Sequence, residues 1–508
     1  MSTVERTIKL SDFNSILLAI ASGLLTAIAF PTFDVGFFAW VSLIPLLFAL
    51  EEKTPSQAFL LSYLSGTIIF AVQMSWLGTS HPALPVGIAM IAALYIGIFG
   101  FLYRFIQDSF PISPLLVMPI IWITSEFARM FGPLAFPVGM LGYSQHSYLA
   151  IIQIADLGGI YGLSFMIALV NVAIFSILKS YYVHHRVFQS FVTVMVIITA
   201  VLGYGFSKLD YFTSTANENF KIAIIQPNIG YYEKGYDALK ALDRVAELTA
   251  RASLESPDLI VWPEAIIKGD SLSDPGVLQK LNRIVGRQKG YLLYGAPRVD
   301  SFGGNTRVYS SVVLSSPKQK QVGIYNKRHL VPFADTMTEY LSALGISRGV
   351  FAYAPGNEFT IFRLPKATFA ATICFDGLFP DLVGKFVSNG AQFMVNVADD
   401  SWSNSIAEHF QHASMSIFRA VENRIYYVRA ANSGISMVID PKGFVINALP
   451  PFKQGYIVTN IGTNKGQKKT FYNQHGDFVA FISFGATFFL AIVALLLGFI
   501  NYYRQKKI

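Results

Sequence analysis

Cys374 is the single cysteine in a chain of 508 residues. It ends the apolar run TFAATI at 368–373 and opens into Phe375-Asp376-Gly377. A nucleophile at a strand end, on a turn, is presented to a cleft without disturbing the core. Taken alone, a buried cysteine is more often a small hydrophobe. Glu264 follows the run DLIVW at 258–262 through Pro263, again at the end of a buried stretch. Lys327 lies in Tyr-Asn-Lys-Arg-His-Leu-Val-Pro-Phe at 325–333. By themselves these read as a surface carboxylate and a solvated basic loop. Together they make a machine. A thiol is a weak nucleophile until it is deprotonated. A carboxylate can take its proton and return it to a leaving group. A lysine ammonium can stabilise the oxyanion of a tetrahedral intermediate. The chemistry is acyl transfer through a thioester. No cysteine-cluster metal site is possible with one cysteine, and no metal or cofactor is expected. No phosphate loop or nucleic-acid motif competes.

The elements that must position these groups lie in a segment of mixed composition, 218–468. Short strand-like runs occur at 220–226, 258–262, 291–295, 310–315, 368–373, 392–397 and 434–439. Each is β-branched or aromatic and bounded by turn residues. Helical patterns lie between them, notably at 236–255, 274–288 and 406–424. Alternation of this kind predicts a layered α/β domain with buried strands.

The rest of the chain is of another kind. Overall, 53% of residues are apolar and only 14% charged, against about 25% in soluble domains; the mean hydropathy is +0.46. A soluble enzyme and a disordered chain are both disfavoured. Stretches near the roughly 20 residues a membrane helix needs occur at 14–30, 37–50, 57–77, 83–105, 112–130, 150–178 and 189–207, with an eighth at 478–501. The expected organisation is a transmembrane bundle of about seven helices at 1–210, the soluble domain at 218–468, an eighth span at 478–501 and a basic cytoplasmic tail at 502–508. With a cytoplasmic N-terminus, Arg6, Lys9, Lys53, Arg104, Lys179, Arg186, Arg504, Lys506 and Lys507 all fall inside, as the bias of basic residues toward cytoplasmic loops requires. Arg129 is the exception. This places both ends inside and the soluble domain outside the cytoplasm, with the first stretch an uncleaved anchor. The net charge of +8 then reflects orientation and lipid headgroups rather than nucleic acid.

Three motifs resemble the nitrilase, or carbon–nitrogen hydrolase, superfamily, whose site is Glu-Lys-Cys in this order: Trp-Pro-Glu at 262–264, the 325–333 run, and Ile-Cys-Phe-Asp at 373–376. Over nearly its full length the chain resembles the apolipoprotein N-acyltransferases. Matching features include Pro31, Trp40, Pro45, Gly66, Trp76, Trp122, Glu126, Arg129, Phe136-Pro137, Gly142-Tyr143-Ser144-Gln145 and Gly158. Later come Gln411-His412, Arg419-Ala420, Glu422, Arg424, Arg429, Asn432 and Gly434. The resemblance implies a membrane helical bundle joined to a nitrilase-like αββα sandwich. It implies Cys374 as nucleophile, Glu264 as general base and Lys327 as oxyanion stabiliser, with Asp335 and Asp376 as supporting acids. It implies an acyl chain taken from a phospholipid, phosphatidylethanolamine above all, and passed to the α-amino group of the S-diacylglyceryl cysteine of an apolipoprotein. A monomer in the cytoplasmic (inner) membrane, its catalytic domain on the periplasmic side, is expected. Trp76, Phe375, Glu126 and Arg129 become candidates for substrate contact. For Trp76 an interfacial aromatic belt, and for Glu126 with Arg129 a structural ion pair, stand as alternatives. The 411–424 helix is expected to pack against the site rather than perform chemistry.

Departures from the family pattern bear on the site. Asp335 stands where a glutamate is usual, so one methylene less reaches Lys327, through a water or a shifted backbone. Cys374-Phe375-Asp376 replaces Cys-Tyr-Glu, Ala398-Asp399-Asp400-Ser401-Trp402-Ser403 replaces Ser-Asn-Asp-Ala-Trp-Phe, Lys234-Gly235 replaces Lys-Trp, and Tyr309-Ser310-Ser311 replaces Tyr-Asn-Ser/Thr. Two alternatives remain open here: a membrane-tethered amidase, and a divergent paralogue that binds lipid or lipoprotein without catalysis.

Overall fold

In the first helices, caps are written into the sequence. Ser11 accepts from the Asn14 N–H and starts α1 (Asp12–Ile28). Thr54 and Gln57 close a capping box, with Pro55 at the first position of α3 (Pro55–Gln73). Between them lies the short α2 (Ile44–Ala49). There follow α4 (Leu84–Ser109), α5 (Pro114–Ala128), α6 (Leu149–Ile152), α7 (Ala155–Tyr181) and α8 (Val187–Tyr211). A C-terminal helix spans Phe478–Gln505. The computed structural model describes residues 11–79, 82–132, 134–181, 187–211, 219–230, 237–267, 274–302, 305–318, 321–332, 334–336, 352–463, 466 and 468–505. Lys234-Gly235, Phe333, Arg6, Lys9, Arg186, Lys506 and Lys507 lie outside them.

Close packing divides the chain into two units, Met1–Lys208 with Asp477–Ile508, and Leu209–Gly476. Among the described residues, five helices are long and apolar enough to cross a membrane: Pro55–Gln73, Leu84–Ser109, Ala155–Ser180, Ser190–Asp210 and Phe478–Arg504. Three apolar helices are shorter: Asp12–Ile28, Gly36–Ala49 and Pro114–Ala128. The C-terminal helix leaves Phe481, Ile482, Phe488, Phe489 and Leu495 exposed, which suits a hydrocarbon solvent rather than water. The stretch expected at 57–77 is helical only to Gln73, and Trp76 falls in a 3-10 turn, Ser75–Thr79. The stretch at 150–178 is interrupted at Gly159 (φ 62°, ψ −167°), a left-handed position that glycine tolerates.

The second unit holds two six-stranded sheets. One contains β1 (Phe220–Gln226), β2 (Leu259–Val261), β3 (Tyr291–Phe302), β4 (Asn305–Ser315) and β5 (Gln321–Asn326). The other contains β6 (Phe362–Arg363), β7 (Thr368–Ile373), β8 (Phe393–Ala398), β9 (Tyr426–Ala431), β10 (Ser436–Ile439) and β11 (Val445–Leu449). The last strand, β12 (Gly455–Ile461), returns to pair antiparallel with β1 at the edge of the first sheet. β1, β2 and β3 run parallel, as do β7, β8 and β9. The sheets meet face to face, with Phe220 of β1 on Phe393 of β8 at 5.1 Å. Helices α9 (Ala238–Ser253) and α10 (Pro275–Gly286) cover the first sheet through Leu242, Val245, Leu248, Val277 and Leu281. Helices α11 (Pro380–Ser388) and α12 (Ile406–Asn423) lie on the second. The architecture is the expected αββα sandwich. β5, β6, β9, β11 and β12, and helix α11, were not expected. β9 follows α12 with no proline or glycine between; Arg424 in the left-handed region (φ 51°) ends the helix instead.

Candidate active site

Strand ends assemble the site: β2 and β7 lie in the parallel runs, as is general for α/β sheets, and β5 is paired antiparallel with β4. After β2 the chain turns through Trp262-Pro263-Glu264. Trp262 is fully buried and its Nε1–H donates to Thr249 Oγ1 at 2.9 Å, which anchors the turn to α9. The Glu264 segment crosses directly over β3 at Gly295, where a Cβ would lie 2.8 Å from the Glu264 Cα. Lys327 follows β5; its N–H donates to the Ser310 carbonyl at 2.8 Å. Cys374 follows β7 and opens a 3-10 turn, Cys374–Leu378. Its φ of 50° is left-handed, a conformation costing a non-glycine residue about 1–3 kcal/mol. The neighbouring Asn396 of β8 holds the turn by donating to the Cys374 carbonyl at 3.1 Å.

Lys327 is 2% exposed and its Nζ lies 2.9 Å from Asp335 Oδ2 and 3.6 Å from Glu264 Oε1. Burial pulls the ammonium down, but the carboxylates of Asp335 and Glu264 outweigh it and hold Lys327 well above its ordinary value. Burial pushes Glu264 up to about 7, against the pull of Lys327 and with help from Asp335 and Asp399. Ser310 Oγ–H and the Asp399 N–H each donate to Glu264 at 3.2 Å. Burial, then the Glu264 carboxylate, push the Cys374 thiol well above its ordinary value, opposed by Lys327. The resting site therefore holds a thiol near a carboxyl group poised near neutrality, rather than a preformed thiolate.

The two short acids are fully engaged. Asp335 reaches Lys327 directly, with no water between, and also accepts from the Val331 N–H at 2.8 Å. Asp376 is completely buried and accepts from Tyr325 Oη–H (2.7 Å), the His329 N–H (2.7 Å), the Arg328 N–H (3.2 Å) and the Ile373 N–H (3.3 Å). It ties the Lys327 loop to the Cys374 turn. Phe375 is buried edge-on against Phe379 at 5.3 Å.

Trp76, Glu126 and Arg129 belong to the helical unit. Trp76 is half-buried on its 3-10 turn. Glu126 is fully buried and accepts from Trp122 Nε1–H at 2.9 Å and the Leu141 N–H at 2.8 Å. Arg129 donates to the Val138 carbonyl at 2.9 Å and lies 5.0 Å over the Phe70 ring. Both side chains pin the 138–141 segment to α5.

A second charged group adjoins Cys374 and was not foreseen as part of the site. Asp400, two residues past β8, accepts from Arg429 Nη2–H at 2.6 Å and faces His412 Nδ1 at 3.0 Å. Burial alone would raise Asp400, but Arg429 and then His412 hold it below the usual carboxylate range. Cys374, Asp400 and His412 each bring one ligand-type atom within 4.8 Å of the others. Arg429 Nη2 lies 2.6 Å from Asp400 Oδ2 and 3.1 Å from His412 Nδ1, so a cation held there would sit against a guanidinium. The signal in the sequence was the position of Asp399-Asp400 at the end of the apolar run 392–397.

Residues 22–173 match a family model described as the apolipoprotein N-acyltransferase N-terminal domain, and residues 221–468 match carbon-nitrogen hydrolase. A relative from Geobacter metallireducens named apolipoprotein N-acyltransferase is 32% identical over 99% of each chain. The chain belongs to the apolipoprotein N-acyltransferase family. Other members so named come from Thermotoga maritima (27% identical, 97% of this chain and 95% of that protein) and Chlorobaculum tepidum (28%, 94% and 96%). Among solved structures, Saccharomyces cerevisiae Nit3, of branch 10 of the nitrilase superfamily, aligns at 20% identity with a TM-score of 0.39, covering 48% of this chain and 90% of that one. As a member of the apolipoprotein N-acyltransferase family the protein is a membrane acyltransferase.

Proposed function

We propose that the protein N-acylates lipoproteins in two steps through a thioester on Cys374. Glu264 accepts the thiol proton as sulfur attacks the acyl ester of a phospholipid, phosphatidylethanolamine above all. Lys327 stabilises the oxyanion, and Glu264 protonates the departing lysophospholipid oxygen. The α-amino group of a diacylglyceryl cysteine then attacks the thioester. The single observation that carries this reading is the meeting of Glu264, Lys327 and Cys374 at three strand ends, with a base at about 7. Asp335 and Asp376 support Lys327 and the turn. Trp76, Phe375, Glu126 and Arg129 remain candidates for lipid contact. No metal or other cofactor enters these steps.

The membrane frame belongs to the same reading. A monomer with eight crossings sits in the cytoplasmic membrane: a bundle at 1–210, the catalytic domain at 218–468 on the periplasmic side, a last crossing at 478–501 and a cytoplasmic tail at 502–508. Both substrates are lipid-anchored, so a domain tethered at both ends keeps the site at the bilayer surface. The test uses purified protein in detergent with fluorescent phosphatidylethanolamine and a diacylated lipopeptide. Lysophospholipid and N-acylated peptide should appear in equal amounts. Release of free fatty acid, or of ammonia from small amides, without acylated peptide would make the protein a hydrolase.

A further inference from the structure

Transfer to an amine has a proton balance that Glu264 alone does not close. In the first step, ester and thiol give thioester and alcohol, and the thiol proton ends on the departing oxygen. In the second step the acceptor is an α-amino group, largely an ammonium at pH 7 because its ordinary value is about 7.7–8.0. Thioester plus ammonium gives amide, thiol and one free proton. The N–C bond forms, the C–S bond breaks with its electron pair going to sulfur, and two protons leave nitrogen. Glu264 can carry one of them to the sulfur. The other needs a second acceptor.

His412 has the placement for it. Its ring reaches within 4.8 Å of both Cys374 Sγ and Asp400. Asp400 is gripped by Arg429 at 2.6 Å and stays ionised. Nδ1 faces Asp400 at 3.0 Å and Arg429 Nη2 at 3.1 Å; a proton on Nδ1 serves the ionised carboxylate, while Arg429 Nη2 is itself spent on Asp400 Oδ2 at 2.6 Å. The lone pair then lies on Nε2, which is buried and has no hydrogen-bond partner among the described residues. Arg429 extends the network to Asn396 Oδ1 at 2.8 Å, and Asn396 holds the Cys374 carbonyl. Gly434 makes room for Asp400, since a Cβ there would lie 2.0 Å from Asp400 Oδ2.

Resting on the thioester reading above, we infer that His412 is the second base, whose Nε2 takes the surplus proton from the acceptor's α-amino nitrogen as it attacks the thioester at Cys374. The imidazolium so formed is balanced by Asp400 and by Glu408, 3.7 Å from Nδ1 on the same helix, and passes its proton to water. The charged and titratable groups facing it are Cys374 on the turn, Asp400 after β8, Arg429 on β9 and Glu408 on α12 itself; His409 of α12 lies against Asp400 and Glu408.

The test separates the half-reactions in the full-length protein. His412→Asn keeps a donor to Asp400 in the place of Nδ1 and removes the base. With fluorescent phosphatidylethanolamine, acyl-enzyme should form within about threefold of the native rate. Transfer to a diacylated lipopeptide at pH 7 should fall about 10²-fold, the lower range for losing a general base. It should recover to within about tenfold at pH 9, where the amine is already free. His412→Gln should show the same split. Equal losses in both steps, or transfer unaffected at pH 7, would overturn the inference. Failure of the native protein to form acyl-enzyme would instead strike the thioester reading.

Discussion

Asp335→Asn tests how the base is tuned. Asp335 Oδ2 and Glu264 Oε1 share Lys327 Nζ at 2.9 Å and 3.6 Å, so the two oxygens lie at most about 6.5 Å apart. At an effective dielectric of about 20, two charges at that separation repel by about 2.5 kcal/mol, close to 2 pH units. Removing the Asp335 charge deletes an influence that raises Glu264 and gives Lys327 to Glu264 as its near carboxylate. With Glu264 pushed up to about 7, acyl-enzyme formation is expected to show a pH midpoint there in the native protein, and the midpoint in the variant should lie about 1–2 units to acid of the native one. The plateau rate should fall, because a weaker base accepts the thiol proton less readily. Single-turnover acylation with a fluorescent phospholipid, followed from pH 4.5 to 9, reads both quantities. A midpoint that stays near 7 or moves upward would refute the electrostatic coupling of the three groups.

Three further outcomes follow from the same geometry. Lys327→Ala should lower the rate of acyl-enzyme formation by about 10²–10³-fold, the usual cost of a lost oxyanion donor, measured in the same single-turnover assay. Asp376→Glu should destabilise the soluble unit by about 1–3 kcal/mol, because an added methylene has no space at a fully buried carboxylate bonded by four donors; a lowered melting temperature checks it. Glu264 binds its proton more tightly folded (about 7) than unfolded (4.5), so its charge costs up to about 3 kcal/mol of stability, a cost that develops as pH rises from 4.5 through 7. Glu264→Gln should consequently melt higher than native at pH 8, with no such gain at pH 4, while losing acyl-enzyme formation.

Much of this arrangement is legible in the chain because its chemistry sits where periodic patterns stop. Glu264 and Cys374 each follow a run whose β-branched or aromatic residues mark a buried strand, and a strand end is a place for a site; Lys327 follows β5, which is mostly exposed or half-buried and carries no such mark, so only its motif singled it out. The seven expected strands are present, and the apolar stretches correspond to helices. The Asp400–His412–Arg429 group was hidden for a physical reason. Arg429 lies inside a strand, His412 on a helix, and Asp400 in a connecting turn, so no local spacing joins them; only the stacking of β8, β9 and α12 does. β9 went unseen because Arg424, in a left-handed conformation without glycine, ends the preceding helix. For Asp335 the sequence left a bridging water and a shifted backbone both open, because side-chain length does not fix where the main chain runs; the 334–336 segment brings its carboxylate to Lys327 at 2.9 Å.

The most direct measurement is mass spectrometry of the protein isolated from membranes, with peptide mapping of any acyl adduct. The account predicts a hydroxylamine-labile fatty acyl group on Cys374, absent in Glu264→Gln and discharged when a diacylated lipopeptide is added. A Cys374→Ala protein that still transfers acyl chains, or an adduct on another residue that discharges at the same rate, would contradict it.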